Sequence, residues 1–421
     1  MRVLIVGNGG REHALAWRLS QSSSVERIFV TRPNAGMHND YDAVDIAPGD
    51  IEGLLSFAKA EQISLTLPGP EAPLCAGIVD SFEDAGLYAF GPKAACAKLE
   101  GSKAFAKEVM SRTGVDTAEY RQFSDAETAL KYVESCPLPT VVKADGLAAG
   151  KGVRICATRE EARSAVQDLM VSQIFGAAGH ELIIEEFMEG VECSFIALVD
   201  GQNVVPLATS QDHKRLLDRD EGPNTGGMGA FSPSPHANEA LIDRVVHEII
   251  QPTLVSLSTR ALSYRGFLYA GLMLTPRGPR VLEFNVRLGD PETQPLMMRL
   301  KSDLAEVLMS VRDGGLKPGN LQWDPRPAAC IVMSSRGYPE KPEKGFEIHG
   351  LEQAKEMESV QVFHAGTRLD SEGKTLSSGG RVLGVTALGD DLGAARDRAY
   401  KAAAAISFEG VHYRKDIAVN A

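Results

Sequence analysis

The chain has no CxxC pair: its six cysteines (Cys75, Cys96, Cys136, Cys156, Cys193 and Cys330) are scattered. That spacing argues against a disulfide framework or a zinc site and fits buried thiols in a reducing compartment. No apolar run reaches the roughly 20 residues of a membrane helix. Val3–Val6 is too short for the apolar core of a signal peptide. Positive charge is in deficit: 44 Lys and Arg against 56 Asp and Glu leave a net charge of −12. The deficit argues against general binding to nucleic acid or an anionic membrane, while a local basic cluster can still hold phosphates. No repeat or low-complexity tract is present. What remains is the composition of an ordinary folded protein of 421 residues, expected to be cytoplasmic and to form roughly two to four domains.

The first hundred residues alternate strand and helix. Val3–Val6, Arg27–Thr31, Leu65–Leu67 and Tyr88–Phe90 read as short buried strands, with helices at Glu12–Ser20, Ile51–Glu61 and Ile78–Ala85. That pattern predicts a parallel sheet with ligands at the carboxyl ends of its strands. Lys93–Thr113 reads as mostly helical. Strands follow at Thr140–Lys143 and Gly152–Cys156, then a helix at Glu160–Met170 and strands at Leu182–Phe187 and Cys193–Val199. Ser210–Pro235 is polar, glycine-rich and without periodicity, and a structureless loop of that length is often functional. A helix at Glu239–Leu257 and strands near Tyr269–Leu274 and Arg280–Asn285 come next. Beyond Trp323 an α+β unit is expected, with strands Ala328–Ser334 and Arg381–Ala387 and a helix at Leu392–Ser407.

The turn VGNGGRE opens like a dinucleotide fingerprint, with Gly7 and Gly9 in place. Glu12 stands where a third glycine is needed, and no acid ends the second strand, so the nicotinamide reading is weak. The turn can still offer amides and a helix N-terminus to an anion, with Arg11 adding charge. In VVKADGLAAGKGV (141–153) a strand delivers Lys143 to a glycine-rich loop carrying Lys151. Glycines let amides approach phosphate oxygens, and a lysine ending an apolar strand needs an anion. In LIIEEFMEGVECSF (182–195) a bend at Glu186–Met188 can leave backbone groups free for an adenine edge, with Glu192 able to accept from ribose hydroxyls; taken alone, an ordinary hairpin connection is the better explanation. In RVLEFNVRLGDPETQP (280–295) straight alternation puts Val281, Glu283, Asn285 and Arg287 on one face and Leu282, Phe284 and Val286 on the other. A carboxylate and an amide two residues apart suit Mg²⁺, which takes few protein ligands. Arg287 then sits beside the metal, and a Glu283–Arg287 salt bridge is the competing reading. Asp212, His213, Lys214 and Arg215 are four consecutive polar groups ahead of a glycine-rich loop.

Together with GPEAPL (69–74), LEGSKAFAK (99–107), GPNTGGMGA (222–230), GFLYAGLM (266–273), FHAGT (363–367), SSGGRVLGVTALG (377–389) and YRKDI (413–417), these strings resemble the phosphoribosylamine–glycine ligases (glycinamide ribonucleotide synthetases) of the ATP-grasp superfamily. The resemblance runs nearly end to end. It implies an α/β and α+β multidomain fold: a parallel α/β pre-ATP-grasp domain at 1–101, a large ATP-grasp domain at 102–120 and 193–323, a mobile lid at 121–192, and a C-terminal α+β domain at 324–421. It implies ligation of glycine to 5-phosphoribosylamine with ATP through glycyl phosphate, needing Mg²⁺ or Mn²⁺, in a monomer or weak homodimer. Carried over by position, Lys103, Lys143, Gly146, Gly150, Lys151, Gly152, Glu185, Glu186, Phe187, Met188 and Glu192 would bind ATP, and Glu283 and Asn285 the metal. Gly9, Gly10, Arg11, Gly69, Pro70, Glu71, His213, Arg215, Gly226, Gly227 and Asp290 would bind substrate. Arg287, Asp212 and Lys214 would be catalytic.

Overall fold

A computed structural model describes residues 1–147 and 152–419. Its N-terminal sheet is parallel and four-stranded, in the order Asp42–Val44, Arg27–Thr31, Arg2–Val6, Leu65–Pro68. The inner strands are apolar and buried on both faces, as a sheet covered by helices requires. The expected strand at Tyr88–Phe90 contributes only a single bridge, from Ala89 to Thr66. The fourth place goes to Asp42–Val44, a short, partly exposed edge strand whose polar start hid it. Helix Gly10–Leu19 starts at the carboxyl end of the first strand and helix Glu71–Cys75 just beyond that of the last, so Arg11 and Glu71 open on the same edge.

Helices Ala94–Gly101 and Lys103–Thr113 are separated at Ser102, whose hydroxyl accepts from Phe105 N at 3.1 Å and so caps the second. A small antiparallel sheet follows, in the order Tyr120–Phe123, Leu182–Glu186, Thr140–Ala144, Val153–Cys156. The central sheet is also antiparallel: Val204–Pro206, Val191–Asp200, Arg265–Thr275, Gly278–Asn285. A third sheet joins Gln211–Asp212 and Gly229–Ser232 to Ala328–Ser334, Arg381–Leu388 and Val360–His364, taking strands from both sides of residue 323. Among the described residues no helix is long and apolar enough to cross a membrane.

Two expectations fail for physical reasons. The stretch 210–235 is not structureless. It forms Arg215–Leu217 paired with Glu221–Asn224, while its flanks join the third sheet. The partners that organise it lie a hundred residues away, so no local period betrays it. The strand Gly278–Asn285 is not straight either. Leu272 pairs with Val281 and Gly271 with Glu283, so Leu282 is an extra residue in a bulge. The bulge reverses the parity before it: Val281 joins Phe284 and Val286 in the core, and Leu282 turns into the cleft beside Glu283, Asn285 and Arg287.

Candidate active site

A cleft of about 480 Å³ opens between the central sheet, the small sheet and the carboxyl edge of the N-terminal sheet. Four lysines converge on it. Lys103 and Lys107 sit one turn apart on the helix Ser102 caps, Lys143 lies near the end of its strand, and Lys214 enters from just ahead of the two-stranded ribbon Arg215–Leu217 and Glu221–Asn224. Lys103 Nζ donates to Gly146 O at 3.2 Å, and Lys143 Nζ to Leu282 O at 3.3 Å. Lys143 also pairs with Glu185, as does Lys107 at 2.8 Å. Glu185 therefore anchors two lysines with its carboxylate. Lys107 escaped the sequence reading, although its four-residue spacing from Lys103 puts both on one helix face. Burial lowers the pKa of Lys103 and of Lys107, and in Lys107 this outweighs the pull of Glu185. Gly150 and Lys151 lie outside the described residues; Gly146 and Gly152 line the cleft.

Glu283 and Asn285 face the lysines. Burial opposes ionisation of Glu283, but Lys214, Lys143, Lys103 and Arg287 outweigh it and hold its carboxyl at about 2. Lys214 Nζ lies 3.5 Å from both Glu283 and Glu192, and those carboxylates, despite burial, raise its pKa well above the usual value. Among the described residues no group of three or more His, Cys, Asp or Glu could hold a metal. The protein thus offers one ionised carboxylate and one amide oxygen. That donor set fits a hard divalent cation that keeps water and phosphate ligands. Arg287 is already engaged: it pairs with Glu100 at 2.6 Å and Glu71 at 3.4 Å and donates to Asn285 Oδ1 at 3.1 Å. No Glu283–Arg287 bridge forms among the described residues.

At the far end of the small sheet, Glu186 lines the cleft with its carboxylate already engaged. Its carboxylate accepts from Arg280 at 2.6 Å and from Glu119 N at 3.2 Å. Phe187 and Met188 follow the strand end, and among the described residues their backbone groups pair with no other backbone. Met188 packs with Ala118, Met273 and Leu282 into an apolar patch.

At the other end, strand alternation divides the four polar residues after Gln211. Asp212 and Lys214 line the cleft; His213 and Arg215 do not. His213 packs against Phe231, ring centroids 5.8 Å apart, and burial lowers its pKa to about 4. Arg215 donates to Gly222 O within the ribbon, at 2.8 Å. Arg11, Pro70, Glu71, Gly226 and Asp290 line this end. Arg381, unforeseen because it lies far along the chain, reaches in from the third sheet. It donates to Asp290 O at 2.6 Å and Oδ2 at 3.1 Å. Gly9, Gly10, Gly69 and Gly227 give close approach rather than contact. A Cβ on Gly69 would lie 1.9 Å from Glu12 Oε1, and one on Gly10 2.6 Å from Gln294 Nε2. Glu12 itself fills the glycine turn, accepting from Gly9 N at 2.6 Å and Arg11 Nε at 2.7 Å. A pyrophosphate could not settle where that carboxylate sits.

Comparisons with known proteins agree along the whole length. The phosphoribosylglycinamide synthetase N domain matches residues 1–100, its ATP-grasp (A) domain 101–293 and its C domain 328–420. The chain is 50% identical over 424 aligned residues to a phosphoribosylamine–glycine ligase of Yersinia pestis, covering 100% of this chain and 99% of the relative. It is 52% identical to the ligase of that name from Rhodopirellula baltica, covering 99% and 96%. The crystal structure of a phosphoribosylamine–glycine ligase from Thermotoga maritima superposes with a TM-score of 0.86 at 34% identity, covering 99% of this chain and 100% of the other.

Proposed function

The chain belongs to the phosphoribosylglycinamide synthetase family, and we propose that it joins glycine to phosphoribosylamine with ATP in the cytoplasm, as a step of purine biosynthesis. The observation that carries this reading is the placement of Glu283 and Asn285 on one strand face, opposite Lys103, Lys143 and Lys214.

The chemistry follows from the charges. A carboxylate is a poor electrophile, so glycine's carboxylate takes the γ-phosphoryl group of ATP, giving glycyl phosphate and ADP. The amine of phosphoribosylamine then attacks the acyl carbon, and phosphate leaves. Negative charge gathers on the transferring group in the first step and on the leaving phosphate in the second. Lys103 and Lys143 draw the triphosphate to the floor of the cleft, and Lys214 offsets charge beside Glu283. Glu283 and Asn285 would hold Mg²⁺ or Mn²⁺, which neutralises the β- and γ-phosphate oxygens when bound. The adenine lies against Met188, Met273 and Leu282, its edge on the free backbone of Phe187 and Met188, with Glu192 beside the ribose. Arg11, Glu71, Gly226 and Asp290 form the acceptor end. Arg287, tied to Glu100 and Glu71, orients Asn285 through its hydrogen bond. Gly146 and Gly152 line the cleft and let the chain approach the phosphates closely, and exclusion of water there protects the acyl phosphate.

The test is phosphate release from ATP that needs both glycine and phosphoribosylamine, with glycinamide ribonucleotide identified as product. Release that ignores either substrate would falsify the reading.

A further inference from the structure

Every strand of the small sheet lies between residues 120 and 186, so the chain enters that sheet through 114–119 and leaves it through 187–190. Both crossings meet at one guanidinium. Arg280 stands on the edge strand of the central sheet, its side chain 6% exposed. On the entering side it donates from Nε to Asp116 Oδ1 at 3.0 Å and from Nη2 to Thr117 O at 2.6 Å. On the leaving side Nη2 donates to Glu186 Oε1 at 2.6 Å. The same Glu186 oxygen accepts from Glu119 N at 3.2 Å, and Glu186 N donates to Glu119 O at 3.0 Å, which binds the two crossings to each other. Further on, Val191 pairs with Leu274 and joins the central sheet. Residues 187–189 are therefore strung between two fixed points, with no backbone hydrogen bond of their own among the described residues.

Resting on the ligase reading, we infer that Arg280 is a positioning residue for the nucleotide's base: through Glu186 it fixes the backbone of Phe187 and Met188 at the edge they read. A peptide that is to pair with a base must keep its N–H and C=O unspent, so hydrogen bonds of its own cannot hold it. It has to be held from its flanks. Strand pairing does this beyond residue 190, and the charge-assisted bond from Arg280 does it at Glu186. The planar fork matters as much as the charge. It reaches two oxygens of one crossing and a carboxylate of the other at fixed angles, which a lysine's single nitrogen cannot match. Arg280 is not among the cleft-lining residues, whereas Glu186, Phe187 and Met188 are, so its effect on the base passes through Glu186. Its strand also carries Leu282, and its partner in register is Met273. Both pack against Met188 in the apolar patch. The guanidinium thus ties the strands that supply one wall of the base slot to the crossing that supplies the other.

The experiment compares wild type, Arg280→Gln, Glu186→Gln and the double variant. Calorimetry gives the affinity for a non-hydrolysable ATP analogue, and tripolyphosphate, which has no base, serves as a competitive inhibitor against ATP. Each single variant should weaken binding of the analogue about tenfold, and the double variant no further, because the two residues act as one link. Inhibition by tripolyphosphate should stay within about twofold and kcat at saturating ATP within about threefold. Equal weakening of analogue and tripolyphosphate makes Arg280 a support of the whole cleft and overturns the inference, as does a fall in kcat with affinity unmoved. Additive losses in the double variant overturn it too, since Glu186 would then act on the base without Arg280. If Arg280→Gln does not fold, Glu186→Gln decides alone, on the contrast between analogue and tripolyphosphate. Wild type that does not bind the analogue overturns the ligase reading and the link with it; wild type that binds it, with both variants unmoved, overturns the link alone.

Discussion

The two ends of the cleft are charged in opposite senses and built differently. At the phosphate end Lys103, Lys107, Lys143 and Lys214 face Glu185 and Glu283; all but Lys214 sit on a capped helix or on strands of the small and central sheets. At the acid end Asp212, Glu292 and Asp290 gather near Arg381 and Arg11, and only Asp290 pairs with Arg381 among the described residues. Asp212 lies there on Gln211–Asp212, a two-residue edge strand of the third sheet, just ahead of the ribbon formed by Arg215–Leu217 and Glu221–Asn224. The lysine-lined end suits a polyanion, the triphosphate of the proposed reaction, while the acid-lined end does not. The difference also predicts how each end fails. The phosphate end is supported by packing, the acid end by hydrogen bonds to a distant segment.

The largest effect should come from Glu283→Gln, which removes the carboxylate proposed to hold the metal. Turnover should fall roughly 100- to 1,000-fold, with the far-ultraviolet dichroism unchanged. Titrating Mg²⁺ against rate checks it, and unaltered kcat would remove Glu283 from the metal site. Lys143→Ala comes next. It should weaken binding of the ATP analogue about 30-fold and leave Glu185 buried with only Lys107. Removing one partner of a buried pair costs about 3 kcal/mol. Urea unfolding and calorimetry on the same variant separate the two losses. Wild-type stability with weak ATP binding would mean that Glu185 does not depend on Lys143.

Arg414→Ala tests the other end. Arg414 is 1% exposed and far from the cleft, yet it donates to Asp220 at 2.7 Å, Asp416 at 2.7 and 2.8 Å, and Arg215 O at 3.2 Å. His412 Nε2 meets Leu216 O at 3.0 Å, and Lys415 N donates to Asp218 at 2.7 Å. These bonds fix the ribbon of Arg215–Leu217 and Glu221–Asn224, which directly follows Asp212 and Lys214 in the chain. The variant should raise the KM for phosphoribosylamine about tenfold and leave ATP affinity within about twofold. Equal losses for both substrates would show that the ends are not separately supported.

The regular half of this site was legible in the sequence. Lys143, Glu283 and Asn285 sit on apolar strands whose period is set by neighbouring residues, and the glycines around them mark loops. The other half was not. Glu12 blocking its own glycine turn, Arg381 crossing from the third sheet, and the pairing of Glu185 with Lys107 are all contacts between residues remote in the chain. His213 and Arg215 failed for a local reason. Four polar residues in a row look like one cluster until a strand sends alternate members to opposite faces.

The smallest effects test the bulge, where a local reading failed most plainly. A straight strand would put Val281 in the cleft and Leu282 in the core; the register places them the other way round. Val281 is fully buried, so Val281→Ala should cost about 2 kcal/mol of stability and leave ATP affinity unchanged. Leu282 is only half-buried, against Met188 and Met273. Leu282→Ala should barely move the unfolding midpoint but weaken ATP binding about fivefold, because it strips apolar surface from beneath the base. Measuring both variants by urea denaturation and ATP-analogue calorimetry gives a crossed pair of outcomes. If the stability loss falls on Leu282 and the affinity loss on Val281, the strand is unbulged. Glu283 and Asn285 would then have to be reassigned relative to the residues around them, and with them the floor of the phosphate end.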